Sequence, residues 1–495
     1  MTSATGFVIF PFLLLLGTVP GCGDTRPPAA HGESASLPWA NPEPWATGTG
    51  PVAAYFHAEG PQERAAAVER IVHLPGYRPE RLGELLHGAG LFRPVAPGAG
   101  GLTQVIVPVG YDRARRVYVR VPTGYDPARP WPLILAYHGG GGDGPEMIAS
   151  LERLLGAERD RYVIAAPSHY RQTSLDHPRP VSSEHLAVLH ALRGLVHLDA
   201  DRVYVTGYSL GGYTAWHLAT FQADRFAAAV PMASTFGSLG GPEGVWTELF
   251  ANFRGLPILS VWGGRDRLDV PDLNARGSAG SMAQCNRRLG TLLREHGATS
   301  VVHYVVPRAG HGGAQPPREL LLTFLRKERA PAPRTVEHHF RYIHQGHAYW
   351  IEGHQWQGDL WDEPWPGGSP AVRSDANDPA WRAIRERFGS IRGTVESTGG
   401  TQRIELSTRH LAELTVWIED GMIDWDRPVT VVHNGRQVFT GRLERDPGVA
   451  LAQARRTRDF DRLRWAGVRI DAAAGTARAV TPEDRFPPVL REVLP

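Results

Sequence analysis

The sequence predicts an α/β protein, a mostly parallel sheet with helices on both faces, followed by a C-terminal mainly β domain. Three observations carry this expectation. From residue 103 onward strand-like and helix-like segments alternate, the order that builds βαβ units. Several strand segments, among them "PLILAYHG", "YVIAAPS" and "FAAAVPMAS", are almost continuous apolar runs, as expected where both faces of a parallel sheet are covered. At "ERAPAPR", residues 328–334, the pattern changes to short alternating stretches, the mark of half-buried strands.

With 495 residues the chain has room for two or three domains. The expected order is an export signal over 1–22, a flexible linker over 23–50, a helical segment over 51–100, the α/β domain over 103–329 and the β-rich domain over 333–480. The apolar run from Phe7 to Leu16 is too short to span a bilayer and suits the h-region of an export signal. The sequence "VPGC" then puts Gly21 before Cys22 and resembles a bacterial lipobox, which makes Cys22 the candidate lipidation site and places the chain in the cell envelope; plain secretion stays open. Residues 23–50 are rich in Pro, Gly, Ala and Ser, a tether composition.

Between 60 and 92 apolar residues recur at helical spacing, broken by Pro75 and Gly76. Two short helices joined by a turn are expected there, packed against the next domain. "TQVIVPV" and "RRVYVRVP" lie close together and alternate, so the sheet starts antiparallel. Helices are expected near 145–157, 183–197, after Ser209, 281–297 and 317–328. In the β domain Asn434-Gly435 between two alternating runs marks a type I′ hairpin, and a helix is expected near 448–460.

Composition narrows the chemistry. Lys plus Arg number 53 against 51 Asp plus Glu, a net charge of +2, so no global field selects nucleic acid. Lys327 is the only lysine, which leaves almost no candidate for Schiff-base or Ser/Lys chemistry. Nucleophilic catalysis therefore has to rely on histidine. With Cys22 lipidated, Cys285 stands alone and no disulfide framework exists; a small buried hydrophobe is its expected role.

The stretch "DRVYVTGYSLGGYTAWHLATF" supplies the nucleophile. Its GxSxG, Gly207 to Gly211, follows a β-branched strand and opens a helix, the strand-turn-helix context that such a motif requires. A serine hydroxyl needs a hydrogen-bonded base and a third group that fixes the base's tautomer. Asp266 follows the strand "PILSVWGG" and His311 follows "HYVVP". The chain order Ser209, Asp266, His311, each just past a strand's C-terminal end, suits an open α/β sheet. Asp269 in the same acidic loop is the alternative acid, and His303, inside a strand, is read as structural. The glycine run in "LAYHGGGGDG" frees backbone N–H groups for a developing oxyanion. Gly139 or Gly140 is the expected first donor and Leu210, at a helix N-terminus, the second. Nothing matches GxxxxGK[ST], so no nucleotide or other cofactor is expected.

Together "HGGGGDG", "GYSLGG", "GGRD" and "GHG" give residues 103–328 a resemblance to α/β-hydrolases of the secreted esterase branch, the group of polyhydroxybutyrate depolymerases, feruloyl esterases and dienelactone hydrolases. The domain also resembles the catalytic domain of prolyl oligopeptidase-like peptidases. The resemblance implies Ser209 as nucleophile, His311 as base, Asp266 as its orienter and the loop after His138 as part of the oxyanion hole. It implies a small-molecule or polymeric ester as substrate, with a peptidase or amidase as the rival; a surface binding protein with a vestigial site is a third reading. The flanking regions are not covered by these motifs. Residues 337–366 carry five histidines and the tryptophans 350, 356, 361 and 365; packing is the expected role, a stacking platform for a polymer the alternative, and the histidines lack metal-ligand spacing.

Overall fold

The computed structural model describes residues 48–95, 101–110, 113–168, 181–236, 247–272, 277–358, 386–398 and 401–484. Among the described residues three short helices come first: α1 (Pro51–His57), α2 (Pro61–Val72) and α3 (Leu82–His87). The α/β domain follows with β1 (Thr103–Gly110), β2 (Arg113–Arg120), β3 (Trp131–Tyr137), α4 (Gly144–Leu155), β4 (Val163–Ser168), α5 (Val181–Leu195), β5 (Leu198–Tyr208), α6 (Leu210–Phe221), β6 (Ala228–Met232) and β7 (Ile258–Gly263). After β7 come a small hairpin of β8 (Asp269–Asp272) and β9 (Gly277–Ser281), then α7 (Met282–Glu295), β10 (Val301–Val306) and α8 (Arg318–Phe324).

Eight strands form one sheet in the order β1-β2-β4-β3-β5-β6-β7-β10. The strands β3 to β7 and β10 pair in parallel with one another, while β1 pairs with β2, and β2 with β4, antiparallel, as the alternating start of the domain anticipates. Every residue of β3, β4, β6 and β7 is buried. Alternation along a strand sends neighbours to opposite faces: Leu133 and Leu135 join the core with α5, α6 and α7, whereas Ile134 and Ala136 join the core with α4 and α8. The sheet is thus the α/β-hydrolase fold, with helices covering both faces. The β8–β9 hairpin was not legible in the sequence, because its four- and five-residue arms carry little apolar pattern.

The C-terminal part is a sandwich of two five-stranded sheets. One contains β11 (Thr335–Phe340), β14 (Gly389–Thr398), β15 (Thr401–Arg409), β17 (Val429–His433) and β18 (Arg436–Gly441). The other contains β12 (His347–Ala348), β13 (Ile351–Trp356), β16 (Leu411–Glu419), β19 (Arg464–Asp471) and β20 (Thr476–Ala479). Phe340, Ile391 and Ile404 of the first sheet meet Ile351, Val416 and Val468 of the second in one core. The β17–β18 hairpin turns on Asn434 (φ 49°) and Gly435 (φ 79°), the two positive φ values of a type I′ turn. Helix α9 (Pro447–Thr457) lies on the outside, capped by Asp446, whose carboxylate accepts from the Gly448 and Val449 N–H groups.

One packing expectation needs correction. The N-terminal helices bury Phe56, Ile71 and Leu86 mainly against Ala450, Leu451, Ala454, Phe460 and Trp465 of the C-terminal part, not against the adjacent α/β domain. Their apolar stripe was visible in the sequence; its partner, a second stripe on α9 at the other end of the chain, only folding brings near. Contact with the α/β domain runs through His87, whose Nδ1 lies 2.8 Å from His197 Nε2, and through Phe92, stacked on His197.

Candidate active site

Sheet topology decides where chemistry can occur. From β3 the chain moves outward to β4, then returns past β3 to β5, and such a reversal leaves a crevice at the strands' C-terminal ends. Because Tyr137 of β3 pairs with Gly207 of β5, the glycine loop after β3 and the turn after β5 leave the sheet side by side. On the other side Val306 of β10 pairs with Gly263 of β7, so the loops bearing His311 and Asp266 also start level.

The turn after β5 is a strained corner. Ser209 has φ 55° and ψ −113°, a backbone conformation that costs a non-glycine residue about 1–3 kcal/mol. Its N–H donates to Met232 O at 2.9 Å, and Tyr213 N–H donates to Ser209 O at 3.1 Å. Glycine is required beside it: a Cβ on Gly207 would lie 2.0 Å from Gly211 O, and one on Gly211 would lie 2.0 Å from Tyr137 O. The two glycines let the strand, the turn and the head of α6 cross at backbone contact distance.

A continuous hydrogen-bonded relay begins at this corner. Ser209 Oγ lies 2.8 Å from His311 Nε2, and His311 Nδ1 lies 2.8 Å from Asp266 Oδ2. The second carboxylate oxygen of Asp266 accepts from Leu268 N–H at 3.0 Å. Asp266 is 1% exposed, whereas the His311 side chain is 30% exposed, so the acid is sealed and the base faces the crevice. Asp269, the alternative acid, is exposed at the start of β8 and pairs across the hairpin with Ser281. His303 stays in β10 and accepts from Trp262 Nε1 at 3.1 Å.

The oxyanion-hole candidates converge on the same corner. A Cβ built on Gly139 would stand 3.4 Å from Ser209 Cβ, and one on Gly140 would stand 3.3 Å from Leu210 Cδ1. Leu210 heads α6, where the first N–H groups have no partner within the helix. Sequence reasoning missed Tyr208, whose hydroxyl donates to the His311 backbone carbonyl and braces the base's loop from inside the elbow. Burial raises the Tyr208 hydroxyl above its ordinary pKa, which keeps it a donor. A tyrosine inside the GxSxG was the available signal, but its reach depends on where the His311 loop lies.

Other expectations fall elsewhere. Cys22, Trp361 and Trp365 lie outside the described residues. Trp350 is buried and donates to Pro333 O at 2.8 Å, and Trp356 stacks on His410; both pack within the sandwich. His338 contacts Gln345 O, and His354 contacts Thr415 Oγ1. Cys285 is buried and forms no disulfide among the described residues. Among the described residues no helix is long and apolar enough to cross a membrane, and no group of His, Cys, Asp and Glu has the arrangement of a metal site.

Fold and relay together define the class, that of the α/β-hydrolases with a serine at the nucleophile elbow. Residues 170–240, which contain the elbow, match the model of the prolyl oligopeptidase family. "Putative esterase NocK" of Nocardia uniformis subsp. tsuyamanensis is 30% identical over 185 residues, 36% of this chain and 51% of that protein; the chain thus spans about half the length of this curated relative. Among solved structures, S-formylglutathione hydrolase FrmB of Staphylococcus aureus is 15% identical, covering 45% of this chain and 98% of that one, with a TM-score of 0.34. The feruloyl esterase module of Clostridium thermocellum is also 15% identical, covering 44% and 87%, with a TM-score of 0.31.

Proposed function

We propose that the protein is a serine hydrolase that cleaves carboxylic esters through an acyl-enzyme. The observation that carries this reading is the relay itself, with two successive 2.8 Å contacts joining Ser209, His311 and Asp266. Ser209 Oγ attacks the ester carbonyl carbon while His311 Nε2 takes its proton. The resulting oxyanion is met by the N–H groups of Leu210 and of Gly139 or Gly140. His311 then gives the proton to the departing alkoxide, the acyl group remaining on Ser209. Water, deprotonated by His311, attacks the acyl carbon and releases the acid, returning the proton to Ser209. Asp266 keeps the Nδ1 proton on the inner side of the ring and balances the imidazolium.

A fluorophosphonate probe tests the proposal: it should label the wild-type chain and not Ser209→Ala, and an intact protein that resists labelling refutes it. The match of residues 170–240 to the prolyl oligopeptidase family favours a second reading, a peptidase or amidase using the same residues. Turnover of short acyl esters against aminoacyl amides on one preparation decides between them. The run before Cys22 supports export and a lipid anchor at that cysteine. Incorporation of a labelled fatty acid by the wild type and not by Cys22→Ala is the outcome expected.

A further inference from the structure

We infer that the cavity between the α/β domain and the sandwich binds a small oxyanion, a phosphate or a carboxylate, through Arg193 and Arg225. The cavity measures about 100 Å³, well above the roughly 10–15 Å³ that one water requires. Six arginines and four carboxylates line it, an excess of positive charge in a space closed on two sides by separate domains.

Most of the lining charges are already taken. Arg329 holds Asp459 with two bonds of 2.7 and 3.2 Å. Arg456 holds Glu352 with two of 2.7 Å, and Arg464 reaches the same carboxylate at 3.3 Å. Arg462 bonds Asp201 at 2.9 Å. His347 accepts from Arg464 on Nε2 at 3.0 Å, so it is neutral there, and its Nδ1 lies 2.8 Å from Asp224. Burial raises the Glu419 carboxyl above its ordinary value, against the pull of Arg464, whose Nε lies 3.9 Å from it.

Arg193 and Arg225 hydrogen-bond no carboxylate among the described residues. Arg193, at the end of α5, is 4% exposed. Its Nη1 donates to Thr457 O at 3.3 Å, but Nε and Nη2 are buried with no hydrogen-bond partner. The Asp459 oxygen nearest to Nη2 is 3.9 Å away, and that carboxylate is occupied by Arg329. Burial lowers the Arg193 guanidinium to about 10 even with Asp459 beside it. Arg225 donates Nε to Gln222 at 2.7 Å and has no carboxylate within ion-pair distance among the described residues. Buried guanidinium N–H groups without acceptors are costly, and two adjacent N–H groups of one guanidinium match two oxygens of a carboxylate or phosphate.

The site is separate from the proposed active site. Arg193 and Arg225 flank the N-terminal ends of β5 and β6, whereas Ser209 follows the C-terminal end of β5. An anion here touches α5 and the turn after α6 on one side and the sandwich on the other, so it would fasten the two domains rather than take part in hydrolysis.

Calorimetric titration of the full chain with inorganic phosphate, acetate and succinate, at constant ionic strength set with sodium chloride, tests this. Saturable 1:1 binding of phosphate or of a carboxylate is expected, weakened tenfold or more in Arg193→Gln and in Arg225→Gln. Saturation by phosphate alone, or by the carboxylates alone, identifies the ligand's chemistry. Absence of saturable binding by the wild type, the result if water fills the cavity, overturns the inference, as does unchanged affinity in the variants. Should Arg193→Gln fail to fold, the half-buried Arg225 decides through its own variant. Ester turnover by the same samples is expected within twofold of wild type, so failure of this site and failure of the hydrolase reading are read separately.

Discussion

Replacing Asp266 with asparagine isolates the role of the sealed carboxylate. In the wild type its two oxygens have different duties: Oδ2 accepts from His311 Nδ1 at 2.8 Å, and Oδ1 accepts from Leu268 N–H at 3.0 Å. An amide has one acceptor and one donor end. With its oxygen kept on Leu268, the NH2 faces His311 Nδ1 and drives the ring proton to Nε2, the atom that receives the Ser209 proton in the proposed mechanism. With the amide turned over, two donors confront each other at Leu268, in a position only 1% exposed where water gives no relief. The first orientation avoids the clash, so the wrong tautomer dominates. A tautomer error of this kind lowers kcat by about 10⁴-fold in a serine triad, about 5 kcal/mol of barrier. Stopped assays with a chromogenic short acyl ester measure the loss, and circular dichroism checks that the variant is folded. Asp269→Asn is the control, exposed on β8 and expected within twofold of wild type. A folded Asp266→Asn within tenfold of wild type, or a greater loss in Asp269→Asn, would refute the reasoning.

Three further outcomes are expected. Gly211→Ala puts a methyl 2.0 Å from Tyr137 O, so the elbow has to open; urea unfolding should show a loss of about 2–3 kcal/mol together with lost turnover. Gly139→Ala crowds Tyr208 O at 3.2 Å and Ser209 Cβ at 3.4 Å; if it displaces an oxyanion donor, kcat falls by up to about 10²–10³-fold with KM nearly unchanged. Arg329→Met leaves Asp459 and Asp201 without their shared partner, at a cost of about 3–5 kcal/mol in denaturant.

The Arg329 cluster also sets a pH dependence. Burial would raise the Asp459 carboxyl, but the Arg329 and Arg193 charges and the bonds from Arg329 hold it well below the ordinary carboxylate range. A carboxyl depressed in the folded state contributes stability above its unfolded value, about 4, and loses it as pH falls through the folded value. The melting temperature of the wild type should therefore drop between about pH 4 and pH 2. In Arg329→Met the drop should be shallower, since that depression is largely gone.

The chain's own chemistry determined the relay candidates and the sheet that presents them. Apolar runs such as "PLILAYHG" marked strands buried on both faces, and GxSxG, "GGRD" and "GHG" fell at strand ends in hydrolase order, because local backbone demands and nucleophile chemistry leave local marks. Asp266 and Asp269 stood three residues apart in one loop and equally fit by type. Only the third dimension separated them, by sealing Asp266 against His311 and leaving Asp269 on an exposed hairpin. The Tyr208 brace, the docking of α1 to α3 on α9 and the place of Arg193 between the domains likewise left no local mark. Each joins residues from distant parts of the chain, and a side chain's partner across such a distance is set by the packing of whole elements rather than by its neighbours in sequence.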